Sequence, residues 1–121
     1  MSMRFTPAAA FAAFVSLAGP AFAHAHLKAA TPAADSTVAP PTELALTFSE
    51  GVNLRFTGIT LTSVGGTVVD TGPGAFRPGG DETLVLPLPK PLAPGRYSVE
   101  WHALATDGHK TTGHYTFTIK P

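Results

Sequence analysis

The sequence predicts an all-β domain, a Greek-key β-sandwich of about seven strands. Three observations lead to this prediction. Apolar and polar residues alternate with a period of two in several short runs, which is the pattern of strands with one buried face. The chain contains 12 Gly and 12 Pro among its 121 residues, and so many helix breakers favour short strands joined by turns. No helical period is found after Ala23, which agrees with the alternation and with the Gly and Pro content.

Seven segments have the composition and alternation of strands. In chain order they are residues 26–30, 43–48, 58–64, 67–70, 83–87, 95–104 and 113–119. Trp101 is expected to anchor the core, surrounded by Phe48, Tyr97 and Phe117. Gly65-Gly66 lies between two of the runs and predicts a two-residue hairpin loop. Pro-Gly and Asp-Gly pairs mark the other turns.

Residues 1–23 have the organisation of a secretory signal peptide, with a basic start and an apolar run that is too short to span a bilayer. Ala21-Phe22-Ala23 fits an A-x-A cleavage site. Removing these 23 residues from 121 leaves a domain of 98 residues, 24–121, that begins with His24. A second A-x-A register two residues later would expose His26 instead.

Composition and missing motifs exclude several classes of function. Charged residues make up 13% of the chain and the formal net charge is zero, so the basic surface of a nucleic-acid-binding protein is absent. The lack of Cys excludes disulfides, thiolate catalysis and Cys-ligated metal centres. The sequence has no phosphate-binding loop, no nucleophile elbow and no H-E-x-x-H motif. We therefore expect a protein that is not an enzyme.

The histidines indicate metal binding instead. After cleavage His24 would offer an α-amine and an imidazole to one metal ion, and both lose their protons near neutral pH. Asp107 and His109 are two residues apart, which in an extended segment places their side chains on one face, and Gly108 leaves room for a ligand. This set of three nitrogens and one oxygen favours Cu(II). Residues 24–121 contain neither Met nor Cys, the soft donors that Cu(I) prefers.

Each of these residues also has a plain structural interpretation. An N-terminal His can result from cleavage alone, and Asp-x-His is common in loops. We interpret His102 as a surface or packing residue, and His114, at the start of the last strand, as a surface or peripheral residue. His26 is read as a solvated strand residue and Glu50 as a carboxylate at a strand end. The residues alone leave both interpretations open.

Several stretches match a known pattern: HAHLK at 24–28, TPAADS at 31–36, LTFSEG at 46–51, LAPGRY at 92–97, and D-G-H-x-x-x-G-x-x-x-F at 107–117. Through them, essentially the whole of the chain after the signal peptide resembles the CopC family of periplasmic copper-binding proteins, and within it the short YobA-like members. The last pattern, joined to an N-terminal His, is specific to that family.

The resemblance implies a seven-stranded cupredoxin-like or immunoglobulin-like fold that binds one Cu(II) per chain. It assigns the ligands to His24, Asp107 and His109, with Glu50 near the copper as a weak ligand or hydrogen-bond partner. It further implies a periplasmic protein of copper homeostasis or resistance, which captures copper and delivers it to a CopD-like protein of the inner membrane. We expect a monomer that is not embedded in the membrane after cleavage. Residues 62–77 contain no Met or His, so the Met-rich Cu(I) site of some members is not expected.

Two other functions fit the sequence. The domain could be a β-sandwich module for protein–protein interaction in which the histidines are incidental. It could also be a copper oxidase with an N-terminal histidine brace, although its small size and the lack of an evident substrate-binding platform count against this.

Overall fold

Nine strands and one short 3₁₀ helix make up the part of the chain that the computed structural model describes, Met3 and residues 25–121. The strands are β1 (Leu27–Thr31), β2 (Thr37–Val38), β3 (Glu43–Phe48), β4 (Gly58–Ser63), β5 (Val68–Val69), β6 (Ala75–Phe76), β7 (Thr83–Pro87), β8 (Gly95–Leu104) and β9 (Lys110–Ile119), and the 3₁₀ helix is Leu54–Phe56. Except for Met3, the expected signal peptide lies outside the described residues, and so does His24. No helix of the described part is long and apolar enough to cross a membrane.

The strands form two sheets, which confirms the predicted β-sandwich. One sheet has the order β1-β3-β7-β6 and the other has the order β2-β9-β8-β4-β5. The chain passes from one sheet to the other after β1, β2, β3, β5 and β7, so strands from distant parts of the sequence become neighbours. All pairings are antiparallel apart from that of β2 with β9.

The predicted strand count is corrected from seven to nine. All seven predicted segments are strands, and β2 and β6 are additional. These two have only two residues each, too few to show an alternating pattern. The last strand begins at Lys110 rather than at residue 113, because the pairing of β8 with β9 continues to Leu104 and Lys110. His114 therefore lies inside β9 and not at its start.

The core lies between the sheets and contains the four aromatic residues that the sequence predicted. Trp101 packs edge-on against Phe48, with ring centroids 5.3 Å apart, and Tyr97 stacks on Phe117 at 5.7 Å. All four side chains are buried. Gly113 lies opposite Trp101, and a Cβ at this position would lie only 2.5 Å from the indole Cζ2. The core indole therefore requires a glycine at this point of β9.

The β4–β5 hairpin has a loop of three residues rather than the two that Gly65-Gly66 predicted. The Ser63 N–H donates to the Thr67 carbonyl, and the Gly66 N–H donates back to the Ser63 carbonyl, both at 2.9 Å. Gly66 has a φ of +81°. A turn followed by a left-handed residue is the usual way to build a three-residue hairpin loop, and glycine adopts that conformation most readily.

Candidate metal centre

Asp107 and His109 lie on the hairpin that joins β8 to β9, at one end of the sandwich. Its loop repeats the geometry of the β4–β5 loop, since the Ala105 N–H donates to the His109 carbonyl and the Gly108 N–H donates to the Ala105 carbonyl, both at 2.9 Å. Gly108 takes the left-handed position, with a φ of +95°. The backbone of this loop is therefore determined by local hydrogen bonds and by one glycine.

The structure brings the Asp107 and His109 side chains into contact. The His109 N–H donates to Asp107 Oδ1 at 3.0 Å, and His109 Nδ1 lies 3.0 Å from Asp107 Oδ2. The Asp107 side chain is 38% exposed and the His109 side chain is 50% exposed. The expected cause was wrong: the two meet because Asp107 closes a turn onto His109, and not because they alternate along a strand. With its Nδ1 proton donated to Asp107, a neutral His109 carries its lone pair on Nε2, which could bind a metal ion.

Glu50 lies in a segment, residues 49–51, that forms backbone hydrogen bonds both with the 105–109 hairpin and with His26. Its neighbour Gly51 accepts a hydrogen bond from the Thr106 N–H at 3.0 Å, and its other neighbour Ser49 donates its N–H to the His26 carbonyl at 2.8 Å. The Oε1 atom of Glu50 is buried and has no hydrogen-bond partner among the described residues. Such an orphaned oxygen is costly, and a bound cation or water molecule would satisfy it.

Ala25, where the continuous described part of the chain begins, lies at the same end of the sandwich. Ala25 is fully buried, with 0% of its surface exposed, and its carbonyl accepts a hydrogen bond from Thr111 Oγ1 at 2.8 Å. Thr111 is two residues beyond His109 in the sequence. The segments that begin the domain, contain Glu50 and carry Asp107 with His109 are therefore joined by hydrogen bonds at one place.

His26, His102 and His114 are exposed. His102 and His114 lie on the outer face of the five-stranded sheet, where Glu100 pairs with His114 across β8 and β9. A shallow depression on this face is lined by Glu100, His102, Thr112 and His114, among others, and none of its lining residues belongs to the 105–109 hairpin. His26 is also exposed, and its backbone pairs with Ser49.

The structure describes three of the four predicted ligands. Asp107 and His109 are in contact, Glu50 lies in the adjacent segment, and His24 lies outside the described residues. Within Met3 and residues 25–121, no group of three or more His, Asp or Glu side chains is placed to hold a metal ion. The donors present are imidazole nitrogens and carboxylate oxygens, which suit divalent copper, nickel or zinc.

Sequence reasoning missed two polar residues of this region, Thr111 and Ser49. Thr111 has the same parity in β9 as Tyr115 and Phe117, which face the core. A hydroxyl on an inward-facing position needs a hydrogen-bond partner, and this was the signal that could have found Thr111. Nothing in the sequence shows that the partner is Ala25, 86 residues away.

Comparisons with known proteins identify one matching family and several relatives. The CopC domain family matches residues 27–120 of the chain. Protein YobA of Escherichia coli K12 is 43% identical over 100 residues, which cover 82% of this chain and 81% of YobA. Copper resistance protein C of Escherichia coli is 41% identical over 106 residues, covering 83% and 84% of the two chains. The crystal structure of PcoC, a methionine-rich copper resistance protein from Escherichia coli, superposes with a TM-score of 0.73 at 37% identity, over 81% of this chain and all of PcoC.

Proposed function

This chain belongs to the CopC family, and from that premise we propose that it is an exported Cu(II)-binding protein that captures one copper ion at the end of the sandwich. The ligands are the α-amine and imidazole of His24, the imidazole of His109 and the carboxylate of Asp107, with Glu50 beside them. The observation that carries the proposal is the meeting of three segments at this end: the segment at Ala25 and His26, the Glu50 segment and the 105–109 hairpin.

The burial of Ala25 supports cleavage after Ala23. Cleavage in the alternative register would remove Ala25, which is fully buried and accepts a hydrogen bond from Thr111. Cleavage after Ala23 retains it and makes His24 the first residue. Consecutive Cα atoms are about 3.8 Å apart, so the new amine would be one residue away from a point held inside the fold.

The absence of sulfur supports Cu(II) rather than Cu(I) as the bound ion. Both Met residues of the chain, Met1 and Met3, precede residue 24, and the chain has no Cys. PcoC is named as methionine-rich, so this chain differs from it in the donors that Cu(I) prefers. Amine, imidazole and carboxylate donors are those expected for Cu(II).

The proposed role is capture and delivery without catalysis. Relatives named copper resistance protein C support a role in copper resistance or homeostasis. In this role the exported domain is a periplasmic monomer that passes its copper to a CopD-like protein of the inner membrane. Its scaffold holds Asp107 and His109 on a hydrogen-bonded hairpin, so that only the N-terminal ligand has to be ordered when copper binds.

A copper titration of two proteins tests the ligand set. One protein begins at His24, and the other carries a single additional Gly before His24. The extension removes the terminal amine and the chelate that it forms, so we expect the Cu(II) affinity, measured by competition with a chelator of known affinity, to fall by a factor of about 10² or more. Equal affinity of the two proteins would refute the ligand set. Absence of stoichiometric Cu(II) binding by the first would refute the function.

A further inference from the structure

One peptide group near the beginning of the domain is held by both sheets. The carbonyl of Ala25 accepts a hydrogen bond from Thr111 Oγ1 at 2.8 Å. The N–H of His26, which belongs to the same peptide group, donates to Ser49 Oγ at 2.9 Å. Thr111 is part of β9 in the five-stranded sheet, and Ser49 directly follows β3 of the four-stranded sheet. We call this arrangement the peptide clamp.

The peptide clamp leaves little freedom to the residues that it holds. Ala25 has no exposed surface, so its methyl group is enclosed on all sides. His26 and Ser49 share a second hydrogen bond, in which the Ser49 N–H donates to the His26 carbonyl at 2.8 Å; it extends the pairing of β1 with β3 by one step. The Ala25–His26 peptide therefore has a fixed position in the fold.

The two clamping hydroxyls belong to the segments that carry the candidate ligands. Thr111 is two residues after His109, and Ser49 is next to Glu50. A displacement of either segment would move the clamp together with the candidate ligands that the segment carries. This coupling would keep a terminal ligand in register with the hairpin.

We propose that Thr111 and Ser49 are positioning residues for the N-terminal copper ligand: they hold the Ala25–His26 peptide so that the amine of residue 24 meets His109 and Asp107. This inference rests on the proposed function. Neither hydroxyl binds the metal. Their effect is to order the residue next to the chelating terminus before copper arrives, and ordering the backbone of one residue changes a binding constant about tenfold.

The test combines Thr111→Val with the Gly extension before His24 in a double-mutant cycle. Valine keeps the shape of threonine and removes the hydroxyl. In the protein that begins at His24, Thr111→Val should lower the Cu(II) affinity about tenfold and should change the electron paramagnetic resonance spectrum of the bound copper. In the extended protein, where the terminal amine is lost, the same substitution should have almost no effect on affinity.

Three matched variants accompany the cycle. Thr112→Val changes the neighbouring threonine, which is exposed on the outer face of the sheet, and should leave the affinity unchanged. Thr111→Ser keeps the hydroxyl and should retain most of the affinity. Ser49→Ala removes the other half of the clamp and should act like Thr111→Val, so that the proposal stays testable where one variant folds poorly. Circular dichroism of the metal-free proteins verifies that each variant is folded.

The outcomes separate this inference from the function on which it rests. An equal loss of affinity from Thr111→Val in both backgrounds would overturn the positioning role, because the effect would then not act through the terminal amine. Unchanged affinity in the protein that begins at His24 would also overturn it. If the extension itself leaves copper binding intact, the proposed ligand set is wrong and the positioning role falls with it.

Discussion

The substitution Gly108→Ala should reduce both the stability and the copper affinity of the domain. Gly108 has a φ of +95°, which is unfavourable for any residue with a Cβ. A Cβ at this position would meet no atom within 4 Å, so the expected cost is that of the backbone conformation alone, about 1–2 kcal/mol. For a domain of this size that corresponds to a decrease in the melting temperature of roughly 4–16 °C.

Two further glycines provide matched controls in the β4–β5 hairpin. Gly66 occupies the same place in the same kind of loop, with a φ of +81° and open space around a Cβ. Gly66→Ala should therefore lower the free energy of unfolding by a similar amount. Gly66, however, lies in a different hairpin from Asp107 and His109. Gly65 also has open space and does not have a positive φ, so Gly65→Ala should be neutral or stabilise the protein by up to about 1 kcal/mol.

The assay is urea denaturation of the metal-free proteins followed by a copper competition titration at a temperature where all are folded. We expect about a tenfold loss of copper affinity for Gly108→Ala, because the turn sets the positions of Asp107 and His109, and no loss for Gly66→Ala. Equal losses of affinity for the two variants would show that general destabilisation, and not the position of the ligands, determines binding. Unchanged stability of Gly108→Ala would refute the strain argument itself.

Three other substitutions test separate parts of the structure. Gly113→Ala places a Cβ against the Trp101 indole and should destabilise the protein by about 1–3 kcal/mol in urea denaturation. Glu50→Gln replaces a carboxylate whose Oε1 is buried without a partner; it should stabilise the metal-free protein, because a neutral amide is cheaper to bury, and weaken copper binding in a titration. Burial raises the pKa of the Tyr115 phenol above its usual 10.0, so the folded state keeps its proton where the unfolded chain loses it, and stability should fall as the pH rises above 10. Tyr115→Phe should remove that part of the decline, as measured by urea denaturation between pH 9 and pH 11.

The sequence predicted the sheets well because their signals are local. Alternation along the 95–104 segment placed Tyr97 and Trp101 in the core, and both are buried there. The two-residue strands β2 and β6 could not be predicted, because each is defined by the partner with which it pairs and not by its own residues. The loop of the β4–β5 hairpin was predicted one residue too short, since dipeptide composition does not determine which residue takes the left-handed conformation.

The candidate site follows the same division between local and distant information. Asp107 and His109 are close in sequence and were predicted to lie together, which the structure confirms for a different reason, the closing of a turn. Thr111 and Ala25 are 86 residues apart, and Glu50 meets the hairpin through its neighbour Gly51. These contacts depend on the crossing of the chain between two sheets, and no periodicity in the sequence contains that information.

The proposed site would also depend on how the chain is processed. Its α-amine would be absent from a precursor in which a peptide bond joins residue 24 to residue 23, and it would appear only on removal of the expected signal peptide. The hairpin donors Asp107 and His109 are present in both forms, but two donors on one loop lack the chelate that the terminal residue adds. In the proposed function, tight binding of Cu(II) would therefore begin with export, and the peptide clamp would hold the residue that follows the new terminus.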